Sequence, residues 1–158
     1  MIDGVKIKDL VVHLDVHAEG EEVVTQPGIL MEVLRQDDNL LKQFGQSIFT
    51  TAYQGTIKAF HWHEKQDDLW FVATGKALIV LYDTRQNSPT YQQTQVITAG
   101  VDNYKLVLIP TGVAHGYKVL SQEPVLLFYH VTQVYNPQDE HRIPYNDPTI
   151  NFNWNKYN

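Results

Sequence analysis

Residues 55–75 read GTIKAFHWHEKQDDLWFVATG, a stretch that places His61 and His63 one residue apart and then continues to Asp67 and Asp68. Side chains two positions apart on a β-strand project from the same face. His61 and His63 are therefore predicted to point together, while their neighbours Phe60 and Trp62 face the other way. If the histidine face is the interior of a barrel, two imidazoles enter one cavity.

Short runs of β-branched and aromatic residues, separated by turn residues, recur on both sides of this stretch. They predict strands at residues 46–54, 56–63, 68–75, 76–84, 94–100, 105–112, 116–121 and 124–135. Many short strands at close spacing favour an antiparallel sandwich or barrel. The fold class is therefore predicted to be all-β, with little helix.

Three segments fall outside this strand pattern. NLLKQFG, residues 39–45, is the clearest helical stretch, and it is short. HLDVHAEGEEV, residues 13–23, is polar and acidic and is predicted to be a solvated loop. The tail after Tyr135 contains three prolines and is predicted to wrap over the barrel in extended form, so that residues 1–158 make a single domain.

Composition excludes several classes of protein. The chain has no cysteine, which rules out disulfides and thiolate metal sites. It has no apolar run of about 18 residues and no signal-peptide pattern, so we expect a cytoplasmic protein without a membrane partner. The net charge is −6, with Lys and Arg scattered, which argues against a nucleic-acid partner. A small anionic ligand needs only a few local cations, so the net charge does not exclude one.

A second segment, PTGVAHG at residues 110–116, adds His115 to the first histidine pair. The two segments together resemble the paired motifs of the cupin superfamily, whose fold is a small antiparallel β-barrel of the jelly-roll type. In metal-binding cupins the matching positions here would be His61, His63, Asp68 and His115, a set that suits Fe(II), Mn(II), Ni(II) or Zn(II). The same histidines could instead exchange protons, or be partly buried and bonded to neighbours.

A longer resemblance covers residues 28–154. Within the cupins, the chain resembles the dTDP-4-dehydrorhamnose 3,5-epimerase family, whose members act on nucleotide-linked 4-keto sugars. The matching segments are GILMEV from residue 28, KAFH from 58, ALIVLYDTRQNSPTY from 77, IPTGVAHGYKVLS from 109 and LFYHVTQVYNPQDEHRIPYNDPTINFNW from 127. The last of these is long and irregular and is not shared by cupins in general.

The resemblance implies roles for individual residues. His61 matches the catalytic base, and Tyr129 matches the acid on the opposite face of the sugar. His115 and Asp83 match residues near the reacting centre, and the paired His63 is added to the catalytic candidates. The candidate substrate-binding positions are Glu32, Gln46, Lys58, Gln66, Asp68 and Tyr135.

The chain also departs from the family pattern at charged positions. Asp68 replaces the lysine of the motif Gln-x-Lys-Leu, which can stabilise an enolate oxygen. Lys58 and Pro27 stand where the family has arginines, and a lysine lacks the two-pronged donor geometry that arginine offers a phosphate. The family's C-terminal aspartate that pairs with the catalytic histidine falls beyond Asn158. The substrate or the outcome could therefore differ from the family's namesake.

The function predicted from the sequence is epimerisation of a nucleotide-linked 4-keto-6-deoxy sugar by His/Tyr proton transfer, in a homodimer, as the resemblance implies. No cofactor and no required metal are expected. Asp68 is instead expected to pair with His63 and to raise a histidine pKa. Three alternatives stay open: a nucleotide-sugar 3,4-ketoisomerase, which the His-x-His pair also resembles, a metal-dependent cupin, and a non-catalytic sugar-nucleotide-binding cupin.

Overall fold

The computed structural model describes the backbone of residues 1–19 and 22–157, and the side chains of these residues except positions 15–27. Its strands are β1 (Lys6–Asp9), β2 (His13–Glu19), β3 (Glu22–Leu30), β4 (Gln46–Ala52), β5 (Ile57–Trp62), β6 (Asp68–Thr74), β7 (Lys76–Asp83), β8 (Thr94–Gly100), β9 (Lys105–Ile109), β10 (Val113–Val119), β11 (Val125–Val131) and β12 (His141–Arg142). Three short 3₁₀ helices span Gln36–Asp38, Pro137–Asp139 and Trp154–Lys156.

The strands form two five-stranded antiparallel sheets and one hairpin. The first sheet has the order β1-β9-β6-β11-β4, and the second has the order β12-β5-β10-β7-β8. The hairpin consists of β2 and β3. Consecutive strands β6 and β7 belong to different sheets and are joined at Gly75, whose φ of 65° suits glycine in the tight connection. The predicted all-β class is confirmed.

Each of the eight predicted strand segments contains or overlaps a strand of the structure. The largest boundary difference concerns residues 124–135, because β11 already ends at Val131. For residues 116–121 the observed strand begins three residues earlier, at Val113. His115 therefore lies inside a strand, opposite His61 of β5 in the register. Strands β1, β2, β3 and β12 were not predicted.

The helix predicted at residues 39–45 is wrong. The structure places a 3₁₀ turn just before it, and Asn39 takes a left-handed conformation with φ 52°. The following residues form no helix and make long-range contacts instead: Gln43 donates to Thr132 O at 2.7 Å, and Gly45 N donates to Val131 O at 2.8 Å. Tertiary hydrogen bonds override a weak local helix propensity here.

The loop predicted at residues 13–23 is also wrong for its described part. Residues 13–19 form β2, which pairs with β3 from His13↔Leu30 to Glu19↔Glu22. The residues His-Leu-Asp-Val-His-Ala-Glu alternate polar and apolar side chains, which is the period-2 signal of a strand. Residues 20 and 21 lie outside the described part of the chain.

Apolar side chains are buried on both faces of both sheets. The space between the sheets holds one cluster that includes Trp70, Leu81 and Val107. The outer face of the first sheet is covered by the segment around Leu40. The outer face of the second sheet is covered by the C-terminal tail, whose Trp154 packs on Phe60 at a ring-centroid distance of 5.6 Å. This cover leaves the inward face of β5 free to carry polar side chains.

Among the described residues, no helix has the length and apolar character needed to cross a membrane.

Candidate active site

A cavity of about 340 Å³ opens between the two sheets. Its walls come from β4, β6 and β11 of the first sheet, from β5 and β10 of the second, and from the segment 133–140 that follows β11. The size and the mixture of apolar and polar side chains suit a small-molecule ligand. Nine of the eleven predicted site residues line it: Gln46, Lys58, His61, His63, Gln66, Asp68, His115, Tyr129 and Tyr135.

His61 is held by a carboxylate. Its Nδ1 lies 3.1 Å from Oε1 of Glu140, and the His61 side chain is one-third exposed to the cavity. Burial lowers the pKa of His61, and the nearby Glu140 opposes this only in part. A neutral imidazole that donates Nδ1–H to Glu140 keeps Nε2 as a free acceptor. His61 is therefore in the state that a general base requires at neutral pH.

The carboxyl of Glu140 is arranged to stay ionised. Burial disfavours its charge, but the hydrogen bond from Arg142 at 2.9 Å and the contact with His61 outweigh this and lower the pKa of Glu140. Glu140 and Arg142 belong to the segment around β12, which pairs with β5 so that Arg142 lies opposite His61.

Tyr129 reaches the cavity from the other sheet. It lies on β11, whereas His61 lies on β5, so that the two side chains approach the cavity from opposite walls. Burial, reinforced by the nearby negative charge of Asp68, raises the pKa of Tyr129 to about 12. The phenol therefore stays protonated at neutral pH and can donate a proton.

Asp68 lies between the other two histidines of the site. Its Oδ2 is 3.5 Å from Nε2 of His115, and its Oδ1 is 3.9 Å from Nε2 of His63. The expected rise of a histidine pKa is not found at His115, because burial lowers the pKa of that ring more than Asp68 raises it. Gln66 and Trp70 donate to the two oxygens of Asp68 at 2.8 and 3.1 Å.

Lys58, Gln46 and Tyr135 are the other predicted residues that line the cavity. Lys58 donates to Thr50 Oγ1 at 2.8 Å and to Thr51 O at 3.1 Å. Tyr135 is 62% exposed, and its backbone N donates to Oε1 of Gln46 at 3.3 Å. Tyr135 was predicted to lie in the strand at residues 124–135, but β11 ends at Val131 and Tyr135 reaches the cavity from the segment beyond it.

Asp83 and Glu32 are the two predicted site residues that do not line the cavity. Asp83 is fully buried and accepts hydrogen bonds from Arg85, Ser88 and Thr90. These donors occupy its carboxylate outside the cavity, so Asp83 belongs to a hydrogen-bonded group that holds the chain after β7 and not to the cavity wall. Glu32 is exposed and pairs with Arg35 at 3.1 Å. The side chain of Pro27 falls outside the described residues.

Glu140 and Asp139 are the site residues that sequence reasoning missed. Asp139 caps the turn after β5 through its carboxylate, which accepts from the backbone N of Glu64 at 2.8 Å and of Lys65 at 3.2 Å, and its carbonyl receives Nδ1–H of His63 at 2.6 Å. Both acidic residues lie within the C-terminal segment PQDEHR. No spacing rule links them to histidines more than 70 positions away, because only the pairing of β12 with β5 brings them together.

Comparison with known proteins agrees with this architecture. The chain is 52% identical to the spore coat polysaccharide biosynthesis protein SpsL of Bacillus subtilis, over 98% of this chain and 97% of that protein. It is 34% identical to a probable low-salt glycan biosynthesis epimerase of Haloferax volcanii, over 98% and 95% of the two chains.

A crystal structure of a dTDP sugar isomerase from Desulfovibrio desulfuricans superposes with a TM-score of 0.84 at 29% identity, covering 98% of this chain and 92% of that one. This likeness confirms the cupin-type barrel predicted from the sequence. The model of the dTDP-4-dehydrorhamnose 3,5-epimerase family matches residues 18–158. The cavity of this chain has a histidine bound to a carboxylate on one wall and a protonated tyrosine on the opposite wall. On the family match and the relatives together, the chain belongs to the dTDP-4-dehydrorhamnose 3,5-epimerase family of sugar-nucleotide epimerases.

Proposed function

We propose that this protein inverts a stereocentre next to the ketone of a nucleotide-linked 4-keto-6-deoxy sugar, with His61 as the base and Tyr129 as the acid. The observation that carries the proposal is the pair itself: a neutral imidazole oriented by Glu140 on one wall, and a phenol with a raised pKa on the other.

The chemistry follows from the ketone. A carbonyl at C4 acidifies the protons on C3 and C5, so that a base of moderate strength can remove one of them. Nε2 of His61 takes the proton, and the electron pair moves onto the ketone oxygen as an enolate. The Tyr129 hydroxyl then returns a proton to the same carbon from the opposite face. The configuration inverts and the composition of the sugar does not change.

Glu140 supports the first step as a positioning residue. A carboxylate that accepts Nδ1–H fixes the tautomer of His61 and stabilises the imidazolium that forms when the proton arrives. The family pattern suggests a C-terminal aspartate for this task, and Glu140 offers the same chemistry from the segment next to β12.

The direct test is solvent exchange followed by NMR. The protein would be incubated with a dTDP-linked 4-keto-6-deoxyhexose in D₂O. We expect deuterium at C3, C5 or both, together with the inverted sugar. The His61→Asn variant should exchange about 10²–10⁴-fold more slowly. A wild-type protein that shows neither exchange nor inversion would contradict the proposal, and so would a His61→Asn variant with near-normal exchange.

A second candidate function is 3,4-ketoisomerisation of the same substrate class. It is favoured by one observation, that His63 and His61 both line the cavity. The two reactions differ in product, because the ketoisomerase moves the ketone to C3 and leaves C5 untouched. The same NMR experiment separates them by the position of the carbonyl carbon and by deuterium at C5.

The homodimer implied by the family resemblance and the cytoplasmic location expected from the composition are part of this proposal. Large apolar side chains that stay exposed on and beside edge strand β4, such as Phe44 and Phe49 at 66% and 67%, support a second copy covering this surface. Sedimentation equilibrium would give about twice the mass of an 18.2 kDa chain if the dimer forms.

A further inference from the structure

His63 and His115 both direct their Nε2 atoms toward the carboxylate of Asp68. His63 donates its Nδ1 hydrogen to the carbonyl of Asp139 at 2.6 Å, and His115 donates its Nδ1 hydrogen to the carbonyl of Val113 at 2.9 Å. A neutral imidazole that gives Nδ1–H to a carbonyl has a lone pair on Nε2. Both Nε2 atoms face Asp68, at 3.9 and 3.5 Å. Three acceptors therefore converge on one point.

Among the residues that the structure describes, none donates a hydrogen bond into the space between these three acceptors. The hydrogen-bond donors found on Asp68, which are Gln66 and Trp70, approach its oxygens from their own directions. The carboxylate and His115 are almost completely buried, with 3% and 4% exposure, so bulk water does not screen the facing lone pairs. Buried acceptors that face each other are unfavourable unless a cation lies between them.

The spacing suits a divalent ion. One ligand atom from each of His63, Asp68 and His115 lies within 4.8 Å of the other two. Bonds of about 2.0–2.2 Å around one ion place neighbouring ligand atoms roughly 3–3.5 Å apart. The separations of 3.5 and 3.9 Å to the Asp68 carboxylate, and of at most 4.8 Å within the whole group, would shorten toward this value when an ion binds. His61 is not in this group, because neither of its ring nitrogens lies within 4.8 Å of all three ligand atoms.

The surroundings of the three side chains also match a metal site. Histidines that bind metals usually donate their second ring N–H to a carbonyl or carboxylate, and ligand carboxylates are hydrogen-bonded in turn. Val113 and Asp139 fulfil the first role with their carbonyl oxygens, and Gln66 and Trp70 fulfil the second.

We propose that His63, Asp68 and His115 bind one divalent first-row transition-metal ion, through Nε2 of each histidine and a carboxylate oxygen, with the remaining coordination positions open to the cavity. Imidazole and carboxylate together suit Mn(II), Fe(II), Co(II), Ni(II) or Zn(II). This differs from the metal-free site expected from the sequence, and it uses three of the four residues of the metal alternative.

The ion would replace a lost positive charge. Asp68 stands where the family resemblance places a lysine, and Lys58 is the one lysine or arginine among the described lining residues. One carboxylate and two neutral imidazoles carry a charge of −1, so a bound divalent ion makes the centre +1. When bound, the ion supplies a Lewis-acid charge near the substrate ketone. This role, though not the binding itself, rests on the proposed function.

Binding is tested with protein prepared without a histidine tag. Elemental analysis of the purified protein gives the metal content, and titration of chelator-treated protein with Co(II) gives a visible ligand-field absorption as the ion enters the site. We expect one Co(II) per chain. The His63→Asn and His115→Asn variants keep a donor near the position of Nδ1 and lose Nε2, and each should bind Co(II) at least about tenfold more weakly.

The matched control is His141→Asn. His141 lies with Glu64 and Asp139 in a second group of ligand-type atoms but does not line the cavity. The His141→Asn variant should bind Co(II) like the wild type. Circular dichroism melting checks that each variant is folded. The proposal is overturned if the wild type binds no stoichiometric Co(II), or if the folded His63→Asn and His115→Asn variants bind it like the wild type.

Activity measurements distinguish metal binding at this site from a catalytic role of the bound ion. Stoichiometric Co(II) in a protein that turns over no 4-keto sugar would support the metal site and contradict the proposed function. Full exchange and inversion by metal-depleted protein would contradict the catalytic role of the ion. Loss of activity on metal removal, with recovery on adding one equivalent of a divalent ion, would support both.

Discussion

His61 and Tyr129 have opposite electrostatic needs, and their surroundings differ accordingly. The base must be neutral, and burial lowers the pKa of His61 even though the contact with Glu140 favours the charged form. The acid must keep its proton, and burial next to Asp68 holds it there. Two titratable groups whose environments push their pKa values apart are a physical signature of an acid–base pair.

The division of labour between these two residues predicts a separation of exchange from inversion. Tyr129→Phe removes only the hydroxyl and preserves the packed ring, so deprotonation by His61 should continue. Deuterium should therefore still enter the substrate, while the inverted product falls by about 10²-fold or more. NMR of one reaction mixture measures both. Equal loss of exchange and inversion would show that the two steps are not divided in this way.

The contact between Glu140 and His61 predicts a change in turnover without a change in substrate affinity. Glu140→Gln keeps the shape but removes the charge that stabilises the imidazolium, so kcat should fall roughly 10–100-fold while KM stays within about twofold. Glu140→Asp, which keeps the charge, should recover part of the loss. A fall in thermal stability with unchanged kcat in the folded protein would instead indicate a structural role.

At the scale of elements, the C-terminal tail builds the site from outside the barrel. The 3₁₀ turn Pro137–Asp139 docks on the end of β5, and β12 then adds a strand to the edge of the second sheet. Beyond it, Trp154 packs on Phe60, the direct neighbour of His61. Contacts on the outer face of β5 thus fix the position of the strand, and with it the position of the side chains on its inner face.

The buried Trp154 predicts a large loss of stability on truncation. Its side chain is 5% exposed, contacts Phe60 and Phe152, and donates Nε1–H to Tyr145 O at 2.9 Å. Trp154→Ala should lower the free energy of unfolding by about 3–5 kcal/mol, as for other large-to-small core changes. Urea denaturation measures this. Tyr145→Ala, at a half-exposed position that keeps the carbonyl, should cost far less; similar losses for both would contradict the packing role.

At the scale of the whole molecule, stability in acid depends on carboxylates that are ionised in the folded state. Asp83 is the strongest case among the described residues: burial alone would favour the neutral acid, but Arg85, Ser88 and Thr90 outweigh it and lower the pKa of Asp83 far below its usual range. The folded state therefore favours the ionised form more than the unfolded chain does. The resulting stabilisation is complete above the unfolded pKa near 4 and is lost as pH falls below it.

Asp83→Asn should therefore destabilise the protein by about 3 kcal/mol at pH 7, because it leaves Arg85 without its charged partner. The difference from the wild type should shrink as the pH is lowered from about 4 toward 2. Chemical denaturation at a series of pH values measures it. A difference that stays constant over this range would show that the Asp83 charge is not the source of stabilisation. Because Asp83 lies outside the cavity, the folded variant should retain substrate exchange.

The sequence by itself determined eight of the twelve strands that the structure describes, the inward face of β5 and nine residues of the cavity. Alternation with period 2 depends only on neighbouring residues, so His61 and His63 could be assigned to one face before any contact was known. The family resemblance added roles for Tyr129 and His115. Irregular motifs such as IPTGVAHGYKVLS consist of consecutive residues, so they can be matched without knowing any contact in the fold.

The tertiary structure alone decided which groups meet. Glu140 reaches His61 across 79 positions of the chain, and Asp68 comes between His63 and His115 only when β6 and β10 face each other across the cavity. Residues 39–45 likewise form hydrogen bonds to Thr132 and Val131 in place of a helix. These outcomes depend on pairing between distant strands and on the burial that follows from it, and neither the charge state of a side chain nor its partner is encoded in local spacing.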